Sequence, residues 1–180
     1  MEPLQQIDAV QEQVDKQFSA LSSEQLNWKP EPGKWSIAQC LDHIITSNKT
    51  YFPAFNKLLR HEYRLSFFQQ LNPFKKSLGP MMVRNLGPQV TKKFTTPTIF
   101  QPSSSTLPVS IVGDFRTHQE ELRKYFRQLL QLDTKNLVMA SPVTGMITYT
   151  LADAIGILTG HEQRHVNQAK QILHHPNFPR

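Results

Sequence analysis

The sequence predicts an all-α fold, a four-helix bundle with a long crossover between its second and third helices, and three observations predict it. Four stretches place apolar side chains at three- and four-residue steps, the spacing that gathers them on one helical face. No stretch alternates apolar and polar residues convincingly enough for a strand, apart from a short run near residues 146–149. Residues 61–109 are interrupted by Pro73, Gly79-Pro80, Gly87-Pro88, Pro97, Pro102 and Pro108, so this segment connects rather than spans. A chain of 180 residues suits a single domain, 1–180, with one substantial core.

The first helix is expected over residues 2–22, where Leu4, Ile7, Val14, Phe18 and Leu21 share a stripe and Gln5, Gln6, Glu12 and Lys16 lie elsewhere. Pro30, Pro32 and Gly33 break the chain before the second. That helix starts after Ser36, which can cap it while Gln39 closes a capping box and Trp35 packs beside it. It runs to about Arg60 on a stripe of Ile37, Leu41, Ile44, Phe52, Phe55 and Leu59, with the amide of Asn48 in the same row. Pro53 should kink it and leave the Lys49 carbonyl without its usual partner. His43 falls on the flank with Cys40, Ser47 and Tyr51, where a bundle residue can face the seam with a third helix.

Within the crossover, residues 62–71 can form a short helix, and Phe67, Phe68 and Phe74 are expected to tuck beneath one end of the bundle. The third helix, about 110–132, carries Ile111, Phe115, His118, Leu122, Phe126 and Leu129 on one stripe. His118 therefore faces inward, either as a buried imidazole bonded to an acceptor or as a participant in a site. After a loop containing Pro142 and Gly145, the fourth helix covers 150–173. Thr150 caps it, Asp153 closes a loose capping box, and Pro176 lies beyond its end.

The chemistry is concentrated on this last helix. His161 and His165 share the inward stripe with Leu151, Ala154, Leu158, Gln168 and Ile172. Two imidazoles one turn apart can bind one cation of the zinc or nickel type through neutral ring nitrogens, but a stable site needs a third ligand. The run His161-Glu162-Gln163-Arg164-His165 fits the H-E-x-x-H pattern of zinc peptidases, which draw the third ligand from downstream. Here position 171 is Gln171 and no Asp or Glu follows Glu162, so a third ligand should come from upstream, although spacing alone fits three unrelated histidines as well as a metal triad. His43 is the candidate, which gives a metal set of His43, His161 and His165 with one or more coordination positions open for water or substrate. Gln168 and His118 are the polar side chains placed to support the ligands or touch substrate. Arg164 and Glu162 lie off the inward stripe and are expected at the surface or between helices. Cys40, one turn before His43, is a small buried thiol or a soft ligand.

Composition narrows the classes. No apolar stretch reaches the length needed to cross a bilayer, and the first residues lack the basic and apolar regions of a signal peptide. A single cysteine excludes an internal disulfide and suits a cytoplasmic protein. The net charge of +6 is local: residues 60–93 hold seven basic side chains against Glu62 alone. Without a recognition-helix pattern or zinc-finger spacing, a solvated basic connection accounts for it better than nucleic-acid binding.

The run Pro-Gly-Lys-Trp-Ser-Ile-Ala-Gln-Cys-Leu-Asp-His-Ile over residues 32–44, followed by Ser47-Asn48 and Tyr51, resembles the second-helix signature of the DinB-like proteins. Gly160-His161-Glu162-Gln163-Arg164-His165-Val166-Asn167-Gln168 resembles their last-helix signature, in the matching order. The resemblance implies a four-helix bundle with one metal-binding histidine on the second helix and an H-x-x-x-H pair on the last, which falls on His43, His161 and His165. It also implies a cytoplasmic metal-dependent hydrolase, or a transferase that uses a low-molecular-weight thiol, acting on a small-molecule electrophile. The rival expectation is a non-enzymatic, metal-binding or stress-related bundle that acts through its surface, for instance as a homodimer.

Overall fold

The computed structural model of the protein describes residues 2–71, 78–88 and 100–180. In chain order its elements are α1 (Pro3–Phe18), α2 (Ser23–Asn27), α3 (Ile37–Lys49), α4 (Phe52–Leu59), α5 (Phe67–Leu71), α6 (Leu78–Leu86), α7 (Ile111–Leu129), β1 (Val138–Ala140), β2 (Thr148–Thr150) and α8 (Leu151–Leu173). The fold is all-α apart from one antiparallel hairpin, in which Met139 pairs with Tyr149. None of the helices among the described residues is long and apolar enough to cross a membrane.

The helix starts follow their capping residues. Ser36 Oγ accepts the Gln39 amide and Gln39 Oε1 accepts the Ser36 amide, each at 3.2 Å. Thr150 and Asp153 make the same exchange at 3.1 Å in both directions at the head of α8. Both boxes satisfy N–H groups that the first helical turn would otherwise leave unpaired.

The expected second helix is two helices. Thr50 N donates to Ser47 O at 3.3 Å and Tyr51 N to Asn48 O at 3.0 Å, a tightening to three-residue closure that ends α3. Pro53 then sits in the first turn of α4, where its missing N–H costs nothing, so the proline starts a helix instead of kinking one. α4 closes with His61 at φ 58, where Glu62 N reaches back to Lys57 O at 2.8 Å and His61 N to Leu58 O at 3.0 Å.

α1 and α3 each pack on both α7 and α8, so α1 lies diagonally across the bundle from α3, and α7 from α8. Ile37 and Leu41 share a core cluster with Val166, Ala169 and Ile172. Tyr51 and Phe52 share a second cluster with Leu151, Leu158 and Leu122. α3 and α8 are therefore antiparallel, and the apolar core is divided in two along the bundle axis. Between the halves lies a polar layer containing Asn48, His118, Gln119 and Glu162, every one of them buried.

The crossover departs from expectation in two ways. Phe67 and Phe68 are 69% and 83% exposed rather than tucked under the bundle. Gln69 on the same five-residue helix donates to Gly145 O at 2.6 Å, so α5 turns its amide toward the hairpin and its phenylalanines to solvent. Phe74 lies outside the described residues. The second departure is α6, a nine-residue helix that contains Gly79-Pro80 and ends before Gly87-Pro88, with Pro80 in its first turn, where no N–H is required. α6 packs on the outside of α8. A Cβ on Gly156 would stand 3.3 Å from Val83, and one on Gly160 would stand 3.3 Å from the Gly87 Cα, so the two glycines let the helices approach closely.

Candidate metal centre

His43 lies near the middle of α3, and His161 and His165 lie one turn apart on α8, at the level where the two halves of the core meet. Their ring nitrogens converge, with the candidate ligand atoms all within 4.8 Å of one another. His161 Nε2 is 3.2 Å from His43 Nε2 and 3.1 Å from His165 Nε2.

The far sides of two rings fix which nitrogen carries hydrogen. His43 Nδ1 faces the carbonyl oxygen of Phe100, with Ser47 Oγ at 3.4 Å. A carbonyl only accepts, so Nδ1 carries the proton and the Nε2 lone pair points at the other histidines. His165 Nδ1 lies 3.0 Å from Gln168 Oε1, with the same consequence. Two Nε2 lone pairs thus address His161 Nε2, and a hydrogen there could satisfy only one. Three neutral imidazoles that turn their nitrogens to one point, two of them bonded outward to acceptors, are suited to hold positive charge there.

Burial keeps the rings neutral. It holds the His161 imidazole well below its usual range, with His165 and His43 adding to the effect. It takes His165 down to about 3, and it lowers His43 despite the opposing bond to the Phe100 carbonyl. Trp35, just ahead of α3, adds an apolar wall: its ring centroid is 4.7 Å from that of His43 and 5.7 Å from that of His165.

The histidines open onto a cleft of about 1380 Å³ lined, among the described residues, by side chains from α3, α6, α8 and the segments before α3 and α7. Gln168 and Arg164 line it, and Arg164 Nη1 also reaches Asn85 O at 3.4 Å on α6.

Glu162 is turned the other way and is completely buried. Its Oε1 accepts from Asn48 Nδ2 at 2.6 Å and from Gln119 Nε2 at 2.8 Å, joining α8 to α3 and, across the bundle, to α7. It sits between helices, as its place off the stripe allowed, and it cannot serve as the general base of an H-E-x-x-H peptidase. Burial raises its carboxyl to about 7 against the pull of the two amides, so desolvation outweighs the hydrogen bonds. His118 belongs to this interior network, with Nε2 3.1 Å from Asn48 Nδ2. Burial, with Lys49 adding to it, lowers His118 to about 4. Cys40 is a free, fully buried thiol whose ionisation burial strongly opposes.

A family model described as the DinB superfamily matches residues 6–169. The chain belongs to the DinB superfamily. No curated protein and no solved structure matches it. Two features of this DinB-superfamily chain escaped the periodicity analysis, the Phe100 carbonyl behind His43 and the Asn48–Glu162–Gln119 brace. A signal for the second was present, since Asn48 is an amide in an apolar row.

Proposed function

We propose that the protein is a metal-dependent enzyme in which His43, His161 and His165 hold a divalent ion, zinc or nickel by the nature of the donors, facing a cleft for a small electrophilic substrate. The observation that carries this is the meeting of three Nε2 atoms, two with their lone pairs set by acceptors behind them. When bound, such an ion supplies an acidified water or thiol and polarises the substrate.

The protein's own part is positional. His43 and His165 are oriented by Phe100 O and Gln168, Trp35 keeps water from one side, and the open cleft admits the nucleophile and its target. For thiol transfer the thiol must be a separate small molecule, because Cys40 is buried and hard to ionise. The cleft volume accommodates a low-molecular-weight thiol together with its electrophile, which supports transfer as well as hydrolysis.

Elemental analysis of protein purified without chelators should find about one equivalent of metal per chain. His161→Ala should lose the metal together with any turnover found by screening ester, amide and thiol-acceptor substrates. Wild-type metal content in His161→Ala defeats the assignment. Tight metal without turnover across the screen favours a non-enzymatic metal-binding bundle.

A further inference from the structure

We propose that the substrate is an amphiphile whose reacting polar group meets the three histidines and whose apolar arm lies in the cleft between α6 and the first half of α8. The position of the reacting group rests on the metal reading above; the arm rests on the cleft alone.

The cleft changes character along α8. Ile157 and Leu158 line it before the histidines, and Asn167, Gln168, Gln171 and His175, with Ile172 among them, line it after them. α6 makes its close approaches to the earlier half, Val83 to Gly156 and Gly87 to Gly160, and Arg164 reaches its Asn85 carbonyl from just beyond the midpoint. These contacts bring Met82 and Leu86 to the same wall as Leu158, and Ile147 from the hairpin turn adds to it. Tyr51 also lines this end, with its hydroxyl 3.0 Å from that of Tyr149. The charged lining residues, Glu31, Lys34 and Arg164, lie ahead of α3 or beyond His161 on α8. Since α3 and α8 are antiparallel, the segment ahead of α3 belongs to the polar end.

A substrate that is polar throughout would leave the Leu158–Met82–Leu86 wall against water. An alkyl or acyl arm would cover it, and each methylene removed from water there favours binding by about two- to fourfold.

The test is calorimetric titration of the full chain with straight-chain alkyl hydroxamates from acetohydroxamate to octanohydroxamate, on zinc-loaded and on chelator-treated protein. The expected result is a Kd that falls about two- to fourfold per methylene in both preparations. Met82→Asn combined with Leu86→Asn should flatten that slope, with circular dichroism showing the helices retained. A Kd independent of chain length, a slope that survives both substitutions, or no binding by any member overturns the proposal. The two readings separate in the data. A flat slope with zinc-dependent acetohydroxamate binding removes the arm and keeps the metal, whereas a steep slope with zinc-independent acetohydroxamate binding does the reverse.

Discussion

Glu162 uses one carboxylate oxygen for two hydrogen bonds and, among the described residues, has no partner for the other, which is shielded from solvent. Replacing it with leucine would strand Gln119 Nε2 and one of the two Asn48 Nδ2 hydrogens, and urea unfolding at pH 7 should show a loss of about 2–4 kcal/mol. Glu162→Gln keeps the acceptor and removes a charge that burial resists, so it should unfold no more easily than wild type. His118 gives the pH dependence. Its folded-state value, about 4, lies below the 6.5 of an unperturbed imidazole, so between those limits the unfolded chain binds the extra proton. This contribution is complete above pH 6.5 and is lost as pH falls toward 4. Measured against His118→Gln, which retains an acceptor for Asn48, wild type should lose up to about 3 kcal/mol more over that interval. The histidines were visible as residues, because an i, i+4 pair on an apolar stripe is unusual. Their convergence with His43 follows from the missing downstream ligand and from the DinB-like signatures, because a flank position on a helical wheel by itself leaves the neighbouring helix unspecified.

Helix ends show how far local rules reach. Ser36 and Thr150 start their helices where the capping pattern predicts, because the bonds involved span three residues and need no tertiary partner. α6 was hidden by the same kind of rule, since Gly79-Pro80 and Gly87-Pro88 mark chain breaks while nine residues from Leu78 to Leu86 still form two and a half turns when α8 receives them. The two helices are joined at Gly79, where an added Cβ would come within 2.1 Å of Asp153 Oδ2. That oxygen also accepts from Thr150 N at 3.1 Å and Thr150 Oγ1 at 2.6 Å. Gly79→Ala should therefore push Asp153 out of the capping box and cost about 1–2 kcal/mol in denaturant unfolding, although the substituted residue lies on another helix. The phenylalanines of α5 mark the opposite limit: hydrophobicity alone suggested burial, and five residues turned by Gln69 could not deliver it.

At the scale of the molecule the three histidines tie α3 to α8, so a bound ion should act on the folding equilibrium as a ligand of the native state. Zinc at a hundredfold excess over its Kd should raise the unfolding free energy by about 2.7 kcal/mol, reversed by chelator and absent in His43→Ala. The polar layer at the same level separates the core around Val14 and Phe115 from the core around Phe126 and Leu129. Periodicity could not reveal that division, because Asn48 and His118 each interrupt a stripe as single residues and only stacking the helices aligns them. The separation has an energetic signature. Truncations in opposite halves, such as Val14→Ala with Leu129→Ala, should sum to within about 0.5 kcal/mol, whereas Phe126→Leu with Leu129→Ala should show a coupling energy beyond that. A chain whose two ends answer to substitution independently can vary the interior of either end without moving the level at which His43, His161 and His165 meet.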